Sequence, residues 1–322
     1  MRIFITGGTG FIGTHLVKWL AQTDHELVCL ARETSDVSTL KETGTTIAVG
    51  DVTDKGSLLA GMQGCDWVVD LASLFVFWPR DEHAYAEINI EGTRNVMESA
   101  LETGIAKVVH VSSAAVWGTA DWPISEITPM GVQRASEYAR SKYEGDQIAW
   151  HLYEERGLPL VMIYPVAVIG PDDPKATGRY IENLVRHRMP TQVLTNAQFS
   201  FVCVGDVCAS VLGALETEGN IGEKYLVSGA NLTFGELNAL VGDVADVRLP
   251  KLRLPDAVTA FNAWLLTGIA NLTGRPPWLD LSVDQVSLMK QGFMVDASKA
   301  ERELGLRYTP IREALEEAIA SF

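Results

Sequence analysis

The sequence predicts an α/β protein with a doubly wound parallel sheet and a smaller C-terminal cap. Strand-like and helical segments alternate through the first half of the chain, as they do when helices connect parallel strands. The strand-like segments are continuous apolar runs, which is typical of strands covered by helices on both faces. After Pro165, frequent prolines divide the chain into shorter segments that indicate the cap.

The elements follow from the periodicity of the apolar residues. Predicted strands of the main sheet cover residues 3–5, 27–31, 45–49, 67–71, 108–112 and 160–164. The main predicted helices cover residues 84–103 and 135–155. A strand at 201–204, a helix at 206–215 and a strand at 224–227 are expected to return to the same sheet.

A glycine-rich turn joins the first strand to the first helix. Gly7, Gly10 and Gly13 stand three residues apart, and residues 8–13 read G-x-G-x-x-G. Glycine permits positive φ and close approach of a ligand, and the following helix presents free N–H groups to an anion. A bare turn is the alternative interpretation, but this strand–turn–helix context favours a dinucleotide site and a Rossmann-type sheet.

Composition limits the remaining classes of function. The chain has 322 residues and a formal net charge of −15, which argues against nucleic acid or an anionic membrane as a partner. Its four cysteines form no C-x-x-C pair and no metal-binding spacing, so we expect a reduced cytoplasmic protein without a metal. Because the predicted first strand begins at residue 2, we expect no signal or transit peptide.

A second set of residues carries chemistry. Tyr138 and Lys142 are four apart and share one face of a predicted helix, while Ser112 and Ser113 end a predicted strand. A carbonyl that accepts hydride needs a proton donor and a second donor to its oxygen. Tyrosine is a weak acid with a reference pKa of about 10, and we expect the Lys142 ammonium to lower that pKa.

These motifs together resemble those of the extended short-chain dehydrogenases/reductases, over nearly the whole chain. Three segments resemble the family's cofactor-binding motifs: residues 6–13 its glycine loop, residues 51–54 its D-x-T-D segment and residues 89–93 its N-x-x-G-T helix. Residues 112–114, together with Tyr138 and Lys142, resemble its catalytic set, and residues 164–171 resemble its segment beside the nicotinamide. Residues 201–207 resemble its F-V-x-V-x-D-V segment, and residues 296–305 resemble its terminal segment. Asp70 departs from the pattern, because the family often has histidine at this position.

The resemblance implies the following site. Ser113 would hold the substrate oxygen, with Ser112 as the alternative hydroxyl, Tyr138 would be the acid/base, and Lys142 would tune it. The cofactor-binding residues would be Gly7, Thr9, Gly10, Phe11, Ile12, Gly13, Arg32, Asp51, Val52, Leu71, Ala72, Ser73, Asn89, Ser112, Tyr138, Lys142, Tyr164, Pro165 and Val168. The substrate pocket would include Phe75, Phe77, Trp117 and Arg179. The dinucleotide-binding domain would comprise residues 1–164 and 204–228, and the substrate-binding cap residues 165–203 and 229–322.

The end of the second strand bears on the cofactor. An NAD site usually ends this strand with an acid that binds the ribose diol, whereas here the strand ends with Ala31 and Arg32. Arg32 can pair with a 2′-phosphate, with Thr34 and Ser35 as further donors, so we expect NADP(H) rather than NAD(H). A solvated arginine is the alternative interpretation.

We therefore expect an NADP(H)-dependent reductase of a ketone or aldehyde, similar to the dihydroflavonol-reductase branch of the family. Ala114 and Ala115 replace the acidic pair common in the family's dehydratases, which argues against dehydration. The alternatives are a nucleotide-sugar epimerase with tightly bound NAD and a non-catalytic NADP-sensing protein. The resemblance also predicts a homodimer through the helices at 84–103 and 135–155.

Overall fold

A computed structural model of the protein describes residues 1–81 and 83–322. The strands, in chain order, are β1 (Arg2–Thr6), β2 (Glu26–Ala31), β3 (Thr46–Val49), β4 (Trp67–Asp70), β5 (Lys107–Val111), β6 (Leu160–Pro165), β7 (Ala167–Ile169), β8 (Gln198–Cys203), β9 (Lys224–Val227) and β10 (Ala230–Thr233). Seven of them form the main sheet in the order β3-β2-β1-β4-β5-β6-β9, and every pairing in it is parallel. The predicted doubly wound parallel sheet is confirmed.

Helices cover both faces of this sheet and build the cap. They are α1 (Phe11–Leu20), α2 (Ser38–Glu42), α3 (Lys55–Met62), α4 (Thr93–Glu102), α5 (Glu137–Arg156), α6 (Ala176–Val185), α7 (Val204–Glu216), α8 (Phe234–Val244), α9 (Asp256–Thr273), α10 (Val283–Gln291), α11 (Ser298–Leu304) and α12 (Ile311–Ala320). A π-helical segment, Ala86–Gly92, leads directly into α4. The helix predicted at 84–103 is therefore two helical segments of different pitch.

The strand order positions the site. β1 pairs with β2 on one side and with β4 on the other, so the chain's direction of progress across the sheet reverses at β1. In open α/β sheets, ligands bind in the crevice that such a reversal opens at the carboxyl ends of the strands. The turns after β1 and β4 both lie at this edge.

The prediction that residues 201–204 return to the main sheet is wrong. β8 instead belongs to a three-stranded sheet, in which it pairs with β7 and β10. The cause is an aromatic cluster, since the Phe199 ring lies 4.2 Å from that of Phe293 and the Phe201 ring lies 5.9 Å from that of Phe234. Residues 224–227 do return, as strand β9 beside β6.

The cap carries an exposed apolar face on α9. Phe261, Trp264, Ile269 and Leu272 are all exposed there, and Leu272 is 89% exposed. No helix among residues 1–81 and 83–322 has both the length and the apolar character needed to cross a membrane.

Candidate active site

The glycine turn after β1 is shaped by steric necessity. Gly7 has a φ of +69°, and a Cβ at this position would lie 2.7 Å from the backbone of Leu71. A Cβ on Gly13 would lie 2.1 Å from the carbonyl oxygen of Gly7. Gly10 caps α1 without any side-chain hydrogen bond, so the first N–H groups of α1 are free to face the cleft. This cradle of free N–H groups fits the diphosphate of a dinucleotide.

The adenosine end of the cleft is formed after β2 and β3. Arg32, Ser35, Asp51 and Val52 line it, whereas Thr34 does not. The Asp51 carboxylate accepts hydrogen bonds from the backbone and the hydroxyl of Thr53, both at 2.9 Å. The Arg32 guanidinium is exposed and makes no ion pair with the described residues. A cation is therefore available where a ribose phosphate would lie.

Tyr138 stands in the cleft wall in the first turn of α5. The Ser136 hydroxyl caps this helix by accepting the N–H of Ala139 at 3.1 Å, which fixes the helix start at Glu137. The Tyr138 side chain is 9% exposed, and its hydroxyl contacts that of Ser113. Ser113 lies just after the end of β5, and Tyr138 lies at the start of α5. The end of the strand and the start of the helix therefore place the two hydroxyl groups in the same part of the cleft wall.

The expectation that Lys142 lowers the Tyr138 pKa is wrong. Burial raises the pKa of Tyr138 to about 12, while the hydrogen bond from Ser113 opposes the rise and the Asp146 carboxylate adds to it. Lys142 is itself buried, which lowers its pKa, and its Nζ donates to the carbonyl oxygen of Val111 at 3.2 Å. The phenol is therefore protonated near neutral pH, and it needs further stabilisation of its phenolate to act as an efficient proton donor.

An aromatic loop after β4 covers the tyrosine. The ring centroid of Phe75 lies 4.7 Å from that of Tyr138, and that of Phe77 lies 6.5 Å away. Asn89 anchors the loop, because its Oδ1 accepts the Leu74 N–H at 2.7 Å and its Nδ2 donates to the Ser141 hydroxyl at 2.9 Å. Asn89 thus joins the loop to α5, one residue before Lys142.

Beneath Lys142 lies a buried chain of polar side chains that the sequence did not predict. Asp70 accepts a hydrogen bond from the Thr6 hydroxyl at 2.5 Å and bonds His110 Nδ1 at 2.7 Å. His110 Nε2 faces Asp146 at 3.4 Å, and Asp146 in turn accepts from Ser112 at 2.8 Å. Asp70 occupies the position where histidine is common, and the structure gives it a histidine partner on the neighbouring strand.

The charges of the buried polar side chains Asp70, His110, Asp146 and Lys142 offset one another within the core. Burial and the Lys142 ammonium lower the pKa of His110, but the Asp146 and Asp70 carboxylates outweigh them and the pKa is raised overall. Burial acts to raise the pKa of Asp70, but His110 and Thr6 outweigh it and the pKa is lowered. His110 Nδ1 is hydrogen-bonded to Asp70, whereas Nε2 lies 3.4 Å from Asp146 without a hydrogen bond among the described residues, so Asp146 acts on the ring through its negative charge. The arrangement therefore favours an imidazolium and an ammonium facing two carboxylates.

Most of the residues predicted for the site line one cleft of about 650 Å³. The predicted residues in its wall are Gly7, Thr9, Gly10, Phe11, Ile12, Gly13, Arg32, Asp51, Val52, Leu71, Ala72, Ser73, Phe75, Phe77, Ser112, Ser113, Tyr138, Lys142, Pro165 and Val168.

Four predicted residues lie elsewhere. Trp117 and Tyr164 are fully buried behind the wall, where their rings pack edge to face at 4.8 Å, and the Trp117 indole donates to the Thr128 carbonyl. Arg179 lies in a neighbouring cavity and pairs with Asp280 at 2.9 Å. Asn89 is buried behind the aromatic loop that it anchors.

The fold and the glycine cradle define an NAD(P)-dependent enzyme of the extended short-chain dehydrogenase/reductase type. Within that class, the chain belongs to the NAD dependent epimerase/dehydratase family, which residues 3–228 match. It is 31% identical to a putative dihydroflavonol 4-reductase of Synechocystis sp., over 99% of this chain and 94% of that protein. It is 30% identical to sterol demethylase protein B of Methylococcus capsulatus, over 100% of this chain and 98% of that protein. The crystal structure of gox2253 superposes with a TM-score of 0.86 at 33% identity, covering 100% of this chain and 97% of that one.

Proposed function

We propose that the protein is an NADP(H)-dependent oxidoreductase that reduces a ketone or aldehyde, or oxidises the corresponding alcohol. Ser113, Tyr138 and Lys142 would form its catalytic set. The observation that carries the proposal is the position of Tyr138, which is held against Ser113 in the cleft wall with Lys142 one turn further along α5. The name of the Synechocystis relative, a putative dihydroflavonol 4-reductase, supports reduction as the direction.

Each side chain has a defined task in reduction. The cleft residues from Gly7 to Gly13 would hold the dinucleotide, and its nicotinamide would supply the hydride that the carbonyl carbon accepts. The Tyr138 hydroxyl donates its proton to the substrate oxygen as negative charge develops there, and the Ser113 hydroxyl donates a hydrogen bond to the same oxygen. Lys142, one turn further along α5 in the cleft wall, would supply positive charge to the site, and its Nζ is held by the Val111 carbonyl. Phe75 and Phe77 exclude water from the reacting atoms.

A panel of ketones and aldehydes, followed by NADPH absorbance, tests this proposal. Tyr138→Phe removes only the proton donor, so we expect kcat to fall by about 10²- to 10⁴-fold. Tyr143→Phe makes the same chemical change on the same helix, outside the cleft, and serves as the matched control. Full turnover by Tyr138→Phe would support a protein that only binds the cofactor.

The preference for NADP(H) depends on Arg32. Its exposed guanidinium lines the cleft beside Ser35, and a hydrogen bond between charged groups favours the 2′-phosphate by roughly tenfold to a hundredfold. We expect a higher kcat/KM with NADPH than with NADH, and Arg32→Asp should reverse this order. An Arg32→Asp variant that gains preference for NADPH would contradict the assignment.

A nucleotide-sugar epimerase is the second candidate, because the family includes epimerases. Such an enzyme would retain NAD through purification and act on a UDP- or GDP-sugar. Chromatography of the nucleotide released by denaturing the protein distinguishes the two. Free exchange of NADP(H) supports the reductase, and stoichiometric NAD supports the epimerase.

We also propose a reducing, cytoplasmic setting and the two-domain division given by the sequence. All four cysteines are free and buried, which is typical of proteins kept in reducing compartments. Helix α7 packs on α1 beside the main sheet, which supports counting residues 204–228 with the dinucleotide-binding domain.

A further inference from the structure

A second cavity opens beside the proposed reaction site. It has a volume of about 290 Å³ and lies in the cap, between α6, α9, α10 and the segment after α6. Ala176, Tyr180, Gln285 and Met289 line both this cavity and the main cleft. These shared walls make the second cavity, called here the side cavity, a continuation of the space in front of Tyr138.

The walls of the side cavity are mainly apolar. Its apolar lining includes Met189, Val193, Leu254, Leu266, Leu281 and Met289, and its uncharged polar lining includes Asn183, Thr191 and Asn262. Its charged lining residues within the described part of the chain are Arg179 and Asp280, which pair with each other at 2.9 Å. A diphosphate would meet a neutralised cation there, whereas a hydrocarbon would meet matching walls.

One buried polar side chain, that of Gln285, belongs to the walls of both the side cavity and the main cleft. The Gln285 side chain is only 9% exposed, and its Oε1 has no hydrogen-bond partner among the described residues. Gln285 also lies close to the reacting end of the cleft, because the preceding Asp284 accepts the N–H of Glu137 at 3.0 Å and Glu137 precedes Tyr138. A buried acceptor without a partner is costly, and a hydroxyl or N–H of a ligand would satisfy it.

We propose that the side cavity is a substrate subsite that binds the apolar body of a large carbonyl compound or alcohol, with Gln285 accepting a hydrogen bond from a donor group on it. This inference rests on the proposed reductase function and specifies its substrate class. The substrate is therefore an amphiphile that is mostly hydrocarbon, and it is not a nucleotide sugar.

A series of methyl ketones from butan-2-one to dodecan-2-one tests the subsite, with NADPH and each ketone below its solubility limit. We expect kcat/KM to rise about fourfold per added methylene, the factor that corresponds to burying one methylene. Leu266→Trp fills the cavity and should lower the ratio of kcat/KM for dodecan-2-one to that for butan-2-one at least tenfold. Leu272→Trp places the same residue on the exposed face of α9 and should leave the ratio unchanged.

Gln285→Leu tests the polar contact. The wild-type protein should prefer a long methyl ketone with a hydroxyl on its chain over the unsubstituted ketone, and the variant should lose roughly tenfold of that preference. Gln291→Leu, on the same helix but outside both cavities, is the matched control. Thermal melting curves exclude variants that do not fold, and Leu266→Phe then replaces Leu266→Trp.

The possible outcomes distinguish a failure of the subsite proposal from a failure of the reductase proposal. Turnover of short ketones with no dependence on chain length would overturn the subsite and leave the reductase proposal in place. If no carbonyl compound is turned over, the reductase proposal fails, and calorimetric binding of dodecan-2-ol decides the subsite alone. Binding that Leu266→Trp abolishes and Leu272→Trp preserves would support the subsite, and absence of binding would overturn it.

Discussion

At the scale of single residues, the unusual feature is the buried chain under the proposed catalytic lysine. Asp70, His110 and Asp146 are almost completely buried, with exposed fractions of 1%, 0% and 0%. Removal of one partner from such a group leaves an uncompensated buried charge, which is far more costly than the group itself is stabilising. The stability of the protein should therefore fall when His110, which lies between Asp70 and Asp146, is replaced by a neutral residue.

We expect His110→Phe to destabilise the protein by about 3–5 kcal/mol near neutral pH, because two carboxylates would lose the cation between them. The raised pKa of folded His110 means that its contribution is complete below its usual pKa of about 6.5 and is lost as pH rises through the raised value. The difference in unfolding free energy from wild type should therefore shrink between about pH 6 and alkaline pH. Denaturant titrations at several pH values measure this difference in unfolding free energy, and His151→Phe, at an exposed position, is the control. A difference that does not change with pH would contradict the protonated state of His110.

Sequence alone identified Asp70 as a departure but not its role. The role depends on β4 pairing with β5 in a register that puts Asp70 opposite His110. Strand order and register are properties of the folded sheet, and neither residue carries a local signal for them. Asp146 was not predicted either, although its position one helical turn beyond Lys142 on the same face of α5 was a signal that the sequence contained.

At the scale of elements, the turn from β1 into α1 is the most constrained. Gly13→Ala would bring a Cβ to 2.1 Å from the Gly7 carbonyl, so the turn must open. We expect lower stability and weaker NADPH binding, measured by thermal melting and fluorescence titration. Gly268→Ala, in α9 with no atom within 4 Å of the added Cβ, should instead stabilise by about 0.4–1 kcal/mol. Unchanged NADPH affinity in Gly13→Ala would argue against the cradle as the diphosphate site.

The strands of the main sheet were predicted within one residue, and in all of them except the partly exposed edge strand β3 the apolar runs are largely buried. The strand predicted at 160–164, for example, is observed as Leu160–Pro165. The prediction failed for β8, where the local pattern of apolar residues does not determine which sheet the strand joins. The sequence of β8 is apolar in either sheet, and its place is set by packing against Phe234 and Phe293 from distant parts of the chain.

At the scale of the whole molecule, the predicted homodimer remains a prediction. The outward positions of α5 are polar and include Arg140, Glu144, Gln147 and His151. Light scattering at micromolar concentration should give twice the monomer mass, and Glu144→Arg in the predicted interface should reduce it. Trp264→Ser on α9 is the comparison variant. Loss of the dimer in Trp264→Ser alone would assign the interface to α9, and a monomeric wild type would remove the prediction.

The cap was predicted to exist, but its interior was not. The side cavity combines residues from 176–193, 254–266 and 278–289, which are brought together only by the packing of α6, α9 and α10. Trp117 was predicted in the pocket from the family resemblance, because it stands where tyrosine is common. The structure instead places that indole in the core, because its N–H finds a partner in the Thr128 carbonyl.

The central claim, hydride transfer to a carbonyl carbon beside Tyr138, has one most direct test. NADPH stereospecifically labelled with deuterium at C4 of the nicotinamide, on each face in turn, is incubated with the wild-type protein and a long methyl ketone. We expect one of the two labelled forms to transfer deuterium to the carbinol carbon of the product, which nuclear magnetic resonance detects. An alcohol product that carries no deuterium from either form would contradict it.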